Sequence, residues 1–475
     1  MHWGQFFYHA MNVFNVVIVS YFFVANGTYT ILMLLSLGYT WIHMRRLVYQ
    51  GLDEIRDSAA TPPATIIMPA WNEQEVVVES VRSILKTDYP GLEVFVVDDG
   101  STDETLARLI HAFDLVKMDL IYRSRMATQA VRGFYANPRI PNLLVISKEN
   151  GGKPDALNVG LNMCRTPYFC TLDTDCILEP DALLRLMRPI IRSPINTVAS
   201  GGIVRILNGC EVREGRVVRV GLPKTLIERF QVVEYLRGFL YGRTGWDVLG
   251  GTLIISGAFA VFHRESVIES GGFAKDTVTE DMDLIVQLHR WAANTKRKIK
   301  MVFTSDPVCW TECPSSLANL GRQRRRWQLG LCQTLWKNSE ILFNQKYGLI
   351  GMISFPFQLF VEALGTVVEF LGYFMVPLAL LFGMVPPTLY ILFVCLALLY
   401  GGFLSVGAVL LEDLTYRRYP GFHDLMTLLW YAMLENIGYR QIILYYRFQG
   451  FVRFLTGFRS WEKVIHAGSQ RVESA

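Results

Sequence analysis

Two carboxylates one residue apart, Asp173 and Asp175, follow directly on the apolar run Tyr168-Phe169-Cys170-Thr171-Leu172. Such a run predicts a buried strand, and the loop at a strand's end can present both acids to a ligand. Two hard oxygen donors so close suit Mg2+ or Mn2+ held together with a diphosphate. A loop that merely happens to be acidic is the plain alternative, and an Asp-x-Asp alone does not exclude it.

Other clusters along the chain can act with this pair. Asp98 and Asp99 end a second apolar run and can accept hydrogen bonds from a nucleobase imide or a ribose hydroxyl. Trp71 can stack on a base or fill the edge of a core. Lys153, just past Gly151 and Gly152 at a predicted helix start, is placed to meet a phosphate. Thr279-Glu280-Asp281 opens a helix with Met282, Ile285, Val286 and Leu288 on its apolar face. A carboxylate there can cap the helix, or serve as a general base if it faces a pocket. Gln323-Arg324-Arg325-Arg326-Trp327 precedes an apolar block. That basic run can anchor to lipid headgroups, but Arg also suits a diphosphate and Trp a sugar face.

The elements that must position these residues alternate. Thr65–Pro69 predicts a strand stopped by Pro69, followed by Asn72, Glu73 and a helix to about Leu85. Leu92–Val97 predicts the next strand, with Ser101 and Glu104 as a capping box for the helix after it. Leu143–Ser147 and the Tyr168 run follow, separated by a helix with Ala156, Leu157 and Val159. This order predicts an α/β domain on a mostly parallel sheet, with ligands at the carboxyl ends of its strands. From Gly201 to Gly250 the pattern weakens, and Leu226–Leu240 could cover the sheet or lie along a membrane. Ile254–Phe259 predicts another strand.

Of 475 residues, 51% are hydrophobic, and the mean hydropathy is +0.26. The charged residues concentrate in the middle, so a soluble domain is expected between membrane segments. Residues 12–40 can span a bilayer; without a basic stretch before them they do not read as a cleaved signal peptide. His43, Arg45 and Arg46 then put that end in the cytoplasm. Further helices are expected at about 348–384, broken near Pro356 and Glu362, and at 387–410, before a charged turn from Glu412 to Arg418. Residues 424–446 carry Glu435 and Arg440 and predict a last span with a polar pair or an interfacial helix. Arg447, Arg453, Arg459 and Trp461 read as a surface anchor. A net charge of +4, with its basic residues at the membrane edge, argues against nucleic acid. The eight cysteines lack framework spacing and fit a reducing compartment, and Cys309-x-x-x-Cys313 has no second pair to make a zinc site. Neither a G-x-G-x-x-G nor a G-x-x-x-x-G-K-[ST] motif occurs, which disfavours dinucleotide dehydrogenases and P-loop NTPases.

Taken in order, Pro69-Ala70-Trp71-Asn72-Glu73, Asp98-Asp99-Gly100-Ser101, Gly152-Lys153, Asp173-Thr174-Asp175, Thr279-Glu280-Asp281 and Gln323-Arg324-Arg325-Arg326-Trp327 make a set. It resembles the membrane-embedded, processive branch of the family 2 inverting glycosyltransferases, which includes hyaluronan, chitin, cellulose and poly-N-acetylglucosamine synthases. The resemblance covers roughly residues 62–340, and the Thr-Glu-Asp and Gln-x-x-Arg-Trp motifs in this order are its most specific part. It implies a GT-A-type α/β domain, with a Rossmann-like sheet, flanked by transmembrane α-helices. The implied layout is a transmembrane helix to residue 48, a linker over 49–64, a cytosolic catalytic domain over 65–315 and interfacial helices over 316–346. Membrane or interfacial helices would follow over 347–446, and a basic tail over 447–475.

The implied reaction extends a β-linked polysaccharide from a UDP-sugar at the inner membrane and passes the product through the membrane helices. Trp71 and Glu73, with Asp98 or Asp99, would hold the uridine, and Lys153 and Arg326 the diphosphate. Asp173 and Asp175 would hold the nucleotide and Mg2+ or Mn2+, with Asp175 as the direct ligand. Asp281 would be the general base, with Glu280 beside it; Thr279, Gln323 and Trp327 would frame the acceptor. Membrane lipids are implied partners, and an accessory export or regulatory subunit could supply the cyclic-dinucleotide control whose domain is missing after the membrane block. Trp71 stands where an aromatic such as Tyr is common, a mild change. Two other readings use the same residues: a transferase adding one sugar to a lipid acceptor, and a transporter or scaffold with an inactive soluble domain. They differ from the polymerase in whether an acceptor channel exists and whether the acids are needed.

Overall fold

The computed structural model describes residues 2–47, 51–193 and 197–457, which divide into two compact units. One contains His43–Pro223 and Thr252–Cys313; the other contains the chain up to Ile42, Lys224–Gly251 and the chain from Pro314.

The first unit is built on strands β1 (Ala64–Ala70), β2 (Leu92–Asp98), β3 (Val116–Met118), β4 (Val131–Asn137), β5 (Ile140–Lys148), β6 (Tyr168–Leu172), β7 (Ile177–Leu178), β8 (Thr197–Ile206), β9 (Glu211–Arg213), β10 (Arg216–Arg219), β11 (Phe259–His263) and β12 (Lys300–Thr311). Ten of them form one sheet in the order β3-β4-β5-β2-β1-β6-β11-β8-β12-β7, and β9 and β10 pair separately. The contiguous core β5-β2-β1-β6 is parallel, as the alternating pattern predicts. Antiparallel pairings lie on both sides of it, and the sequence pattern gives no sign of them.

Period-two alternation divides the core strands between two apolar layers. Ile66, Met68, Val94 and Val96 share one layer with side chains of helices Val77–Leu85, Thr105–Ala112 and Ala182–Arg192. Ile67, Val97 and Phe169 share the other with helices Lys153–Met163 and Glu280–Thr295. Burying each such side chain stabilises by about 1.5–3 kcal/mol, so both faces of the sheet are fixed and its register with them. Because the core strands are parallel, their carboxyl ends fall along one edge.

Three local expectations are corrected. Pro69 does not stop β1: it lies in register with Val97, beyond the last β6 pairing at Ile67, where a residue without N–H is tolerated. Ser101 and Glu104 do not form a capping box, because the Ser101 hydroxyl accepts from the Asn72 N–H at 3.0 Å and Asp103 bonds the Thr105 N–H at 2.9 Å. Ile254–Ala258 is not a strand; the backbone turns at Gly257, and β11 starts at Phe259.

Among the described residues three helices are long and apolar enough to cross a membrane, His9–Arg45, Ile350–Leu381 and Pro387–Thr415; the second unit contains the last two and the first as far as Ile42. Leu226–Leu240 belongs to this unit, starting with a capping box between Thr225 and Glu228. The expected breaks near Pro356 and Glu362 are π-helical segments, Ile350–Ser354 and Gln358–Ala363, inside one continuous span. The charged turn is shorter than expected, since helix runs on to Thr415. Residues 424–446 are neither a single span nor a single interfacial helix: Phe422–Leu434 and Tyr439–Leu455 are separated by a turn. Arg447 and Arg453 lie on the second of these helices, whereas Arg459 and Trp461 lie outside the described residues.

Candidate active site

The carboxyl end of β2 delivers Asp98 and Asp99, and both residues are 2% exposed. Asp98 accepts from the Ser101 N–H and the Ser147 hydroxyl, each at 3.2 Å. Burial pushes its carboxyl up, and the serine bonds oppose the shift. Asp99 is saturated. Its Oδ1 takes Lys148 Nζ at 2.5 Å and Gly151 N at 3.0 Å; its Oδ2 takes Gly152 N at 2.7 Å and Asn150 Nδ2 at 3.2 Å. Four donors fill a carboxylate's acceptor sites. Asp99 therefore fixes the backbone of the loop after β5.

That loop is shaped for close approach. A Cβ on Gly151 would lie 2.6 Å from Asp155 Cγ, and Gly152 has φ +86°, where side chains are strained. Helix Lys153–Met163 starts immediately, and Lys153 reaches both acidic motifs. Its Nζ lies 2.7 Å from Asp173 Oδ1 and 3.1 Å from Glu280 Oε1. Burial works against its charge, but Asp173, Glu280 and Asp281 outweigh that and hold its pKa up. Asp173 shifts upward through burial and through Asp175 and Asp281, with Lys153 opposing.

Asp175 is 9% exposed and accepts from the Thr311 hydroxyl at 3.0 Å. Asp281 sits in the first turn of Glu280–Thr295 and is half-buried. One of its oxygens bonds the Met282 N–H at 2.9 Å and the other the Gly257 N–H at 3.0 Å. Thr279 holds the N-cap position without a side-chain cap, and its Oγ1 is buried with no hydrogen-bond partner. Trp71 and Glu73 are half-buried in the turn after β1.

Asp173, Asp175, Glu280 and Asp281 thus share one electrostatic neighbourhood with Lys153. Among the described residues no group of three or more His, Cys, Asp or Glu is arranged to hold a metal ion. An excess of carboxylate over ammonium, with two acids one residue apart, fits a divalent cation that completes its shell with phosphate and water. Asp173 and Asp175 are the residues that would hold it.

In the second unit Gln323, Arg326 and Trp327 lie on helix Leu317–Lys337. Gln323 is 9% exposed, Arg326 half-buried and Trp327 39% exposed. The Arg324 guanidinium packs over the Trp327 ring at 4.2 Å and pairs with Glu234 at 2.9 Å, and Glu234 also accepts from the Tyr439 hydroxyl at 2.8 Å. Sequence reasoning missed Arg324 as the support of this ring, and it missed Lys148 and Asp155. A lysine closing an apolar strand and an acid in a helix's first turn were visible signals, but their partners are distant in sequence.

A parallel-core mixed sheet with paired acids, a loop lysine and a helix-borne acid at its carboxyl edge defines a GT-A-like glycosyltransferase domain. Residues 62–330 match the family described as "Glycosyltransferase like family 2", and the chain belongs to that family. Poly-beta-1,6-N-acetyl-D-glucosamine synthase of Staphylococcus aureus (strain COL) is 23% identical over 292 residues, 62% of this chain and 58% of that protein. The synthase of the same name from Staphylococcus epidermidis is 23% identical over 270 residues, 56% of this chain and 54% of that protein. The chain thus spans a little over half the length of these curated relatives. A mannosyltransferase from Pyrobaculum calidifontis, solved with GDP-Man and Mn2+, covers 93% of this chain and 99% of its own at 18% identity, with a TM-score of 0.49.

Proposed function

We propose that the chain is an inverting, metal-dependent synthase that extends a β-linked polysaccharide from a UDP-sugar and passes it across the inner membrane. The observation that carries this reading is Lys153, held between Asp173 of one acidic motif and Glu280 of the other. A divalent cation at Asp173 and Asp175 would supply charge neutralisation for the leaving diphosphate. Trp71, Glu73 and Asp98 line the nucleoside end in this reading, and Asp99 anchors the loop beneath it. Lys153 exchanges its carboxylate partners for diphosphate oxygens. Asp281 takes the proton of the acceptor hydroxyl as that oxygen bonds to the anomeric carbon. The bond to the diphosphate breaks on the opposite face, and UDP leaves with the electron pair. Thr279 is the acceptor-side residue of the sheet-bearing unit; in the other unit, Gln323 and Trp327 of helix Leu317–Lys337 offer an amide and a ring face of the kind an acceptor sugar binds.

N-acetylglucosamine is the first donor sugar to test, because the relatives are named for that polymer. Export is supported by two acids on the apolar Ile350–Leu381 helix, each paired with an arginine of helix Tyr439–Leu455: Glu362 with Arg447 at 3.1 Å and Glu369 with Arg440 at 3.2 Å. Ionisable groups inside membrane helices usually serve a pathway. The catalytic unit faces the cytosol in this reading. An accessory subunit would show itself as activity in native membranes that purification abolishes.

The test uses membranes containing the protein, a panel of UDP-sugars and Mg2+ or Mn2+, with Asp281→Asn as control. UDP release with one donor and a large saccharide product, both lost in the variant, is the expected result. A product confined to the lipid extract would overturn the polymer reading in favour of single transfer to a lipid.

A further inference from the structure

We infer that Lys148 is a positioning residue for donor binding, its buried ammonium setting the Gly151-Gly152-Lys153 loop from beneath. This rests on the donor-diphosphate role given above to Lys153.

Lys148 is fully buried at the end of β5. Its Nζ lies 2.5 Å from Asp99 Oδ1 and 2.9 Å from Asp155 Oδ1, and it donates to the Glu149 carbonyl at 2.5 Å. An isolated ammonium at such depth would be prohibitively costly, so the two carboxylates are what make it tolerable. Asp155 pairs in turn with Lys275 and accepts from the Gln129 N–H at 3.1 Å. Burial works against the Asp155 charge, yet Lys275 and Lys148 outweigh it and hold its carboxyl below the usual range. Two acids and two ammonium groups thus balance in one chain, Asp99–Lys148–Asp155–Lys275.

The chain touches every segment that Lys153 depends on. Asp99 binds the N–H groups of Gly151 and Gly152, which set the backbone entering Lys153. Asp155 lies against Gly151, within 2.8 Å of where its Cβ would stand. Lys275 precedes Thr277–Asp281, the stretch that leads into Glu280 and the general base. Without the Lys148 charge, Asp99 and Asp155 would face each other as like charges, and the loop between them would move. Lys153 would then miss the diphosphate while Asp281 kept its own bonds to Gly257 and Met282. The defect belongs to donor binding and not to proton transfer.

The experiment uses the full chain in detergent or nanodiscs, as Lys148→Met, Lys148→Arg and the double variant Lys148→Met/Asp155→Asn. It reads donor KM, kcat, UDP affinity by calorimetry and the thermal midpoint. Lys148→Met should raise donor KM and weaken UDP binding by about tenfold to a hundredfold, the scale of small misplacements in active sites, with kcat at saturating donor within about threefold. The double variant, which removes the like-charge clash, should recover part of the UDP affinity. If Lys148→Met does not fold, Lys148→Arg carries the test, since it keeps the charge on a different geometry and should still raise KM. A lower thermal midpoint with donor KM and UDP affinity unchanged would overturn the inference and leave Lys148 a purely structural group. Wild-type protein without turnover on any UDP-sugar would instead count against the proposed function, and UDP affinity would still decide the role of Lys148.

Discussion

Lys153 Nζ stands 3.1 Å from Glu280 Oε1, so the loop after β5 and the start of the Glu280–Thr295 helix are joined by one ion pair. The same ammonium holds Asp173, and the two acidic motifs meet on a single cation. A site built this way has its acids held by one ammonium, and in the proposed reading that ammonium exchanges carboxylate for diphosphate oxygens.

Replacing Lys153 by Met should therefore weaken donor binding far more than folding. About a third of the Lys153 and Asp173 side chains faces solvent, with exposures of 31% and 35%. Pairs this exposed contribute about 0–1 kcal/mol to stability. The expected outcome is a thermal midpoint near that of the wild type and a donor KM raised at least tenfold, equivalent to about 1.4 kcal/mol of lost binding. Initial rates across a donor titration, beside a melting curve, check it.

Asp281→Asn keeps the size and shape of the side chain and removes its basicity. A positioned general base contributes typically about 10²–10⁴-fold, so kcat should fall by that factor while UDP affinity holds. Loss of UDP affinity in this variant would move Asp281 from the acceptor side to the donor side.

The sequence makes the strands of the parallel core legible because both faces are buried, and continuous apolar runs such as Leu92–Val97 carry no competing helix signal. It makes the acids legible because they fall at the ends of those runs. It hides β8, whose Ala199, Ser200, Gly201 and Gly202 look like loop residues and yet are buried in the sheet. A Cβ on Gly201 would come within 2.5 Å of Ile255 Cγ2, so small residues there reflect close packing and not a turn. Glu435 and Arg440 look like partners by spacing; instead Glu435 pairs with Arg237 and Arg440 with Glu369, which only tertiary structure can assign. Lys148 is hidden for the same reason, since both of its carboxylates come from outside its own strand.

Acid should destabilise the sheet-bearing unit through two buried carboxyls. Burial works against the Asp306 charge, but the His43 hydrogen bond and the Arg188 guanidinium, at 2.8 Å, outweigh it and hold its pKa low; Asp155 is held low in the same sense. A folded pKa below the unfolded value of about 3.9 means the unfolded chain binds more protons, so this stability is present above about pH 4 and lost as pH falls through the folded values. Thermal midpoints should drop steeply below about pH 4 in the wild type. Asp306→Asn should flatten that drop, and at pH 7 it should cost about 3–5 kcal/mol by leaving Arg188 unpaired.

The aromatic platform gives a separate handle. Arg324 is 4% exposed in its pair with Glu234 and lies under the Trp327 ring. Glu234→Gln leaves that guanidinium underpaired and free to tilt the ring. In the polymerase reading the expected result is shorter saccharide at an initial rate of UDP release within about threefold, because binding that is uniform along the reaction changes affinity for the chain more than the chemical step. Gel sizing of labelled product against time distinguishes this from a general loss of activity.

Glu369, on the candidate span Ile350–Leu381, and Arg440, on helix Tyr439–Leu455, test whether a charge on an apolar helix is held as a pair. Arg440 Nη2 lies 3.2 Å from Glu369 Oε1, and the same oxygen accepts from the Tyr21 hydroxyl at 2.8 Å. An unpaired charge at the centre of a membrane helix costs about 2.5–3.5 kcal/mol on insertion scales. Arg440→Met alone leaves Glu369 exposed to that cost, whereas Glu369→Gln/Arg440→Met removes both charges. The double variant should therefore accumulate in membranes and melt closer to wild type than the single one. In the polymerase reading, polymer secretion should nonetheless stay impaired in the double variant, because an export path for sugar would need the polar groups and not merely an intact bundle. Damage in the double variant equal to the sum of that in Arg440→Met and in Glu369→Gln would show that the two residues do not depend on each other. Normal secretion from the double variant would take this pair off the export route.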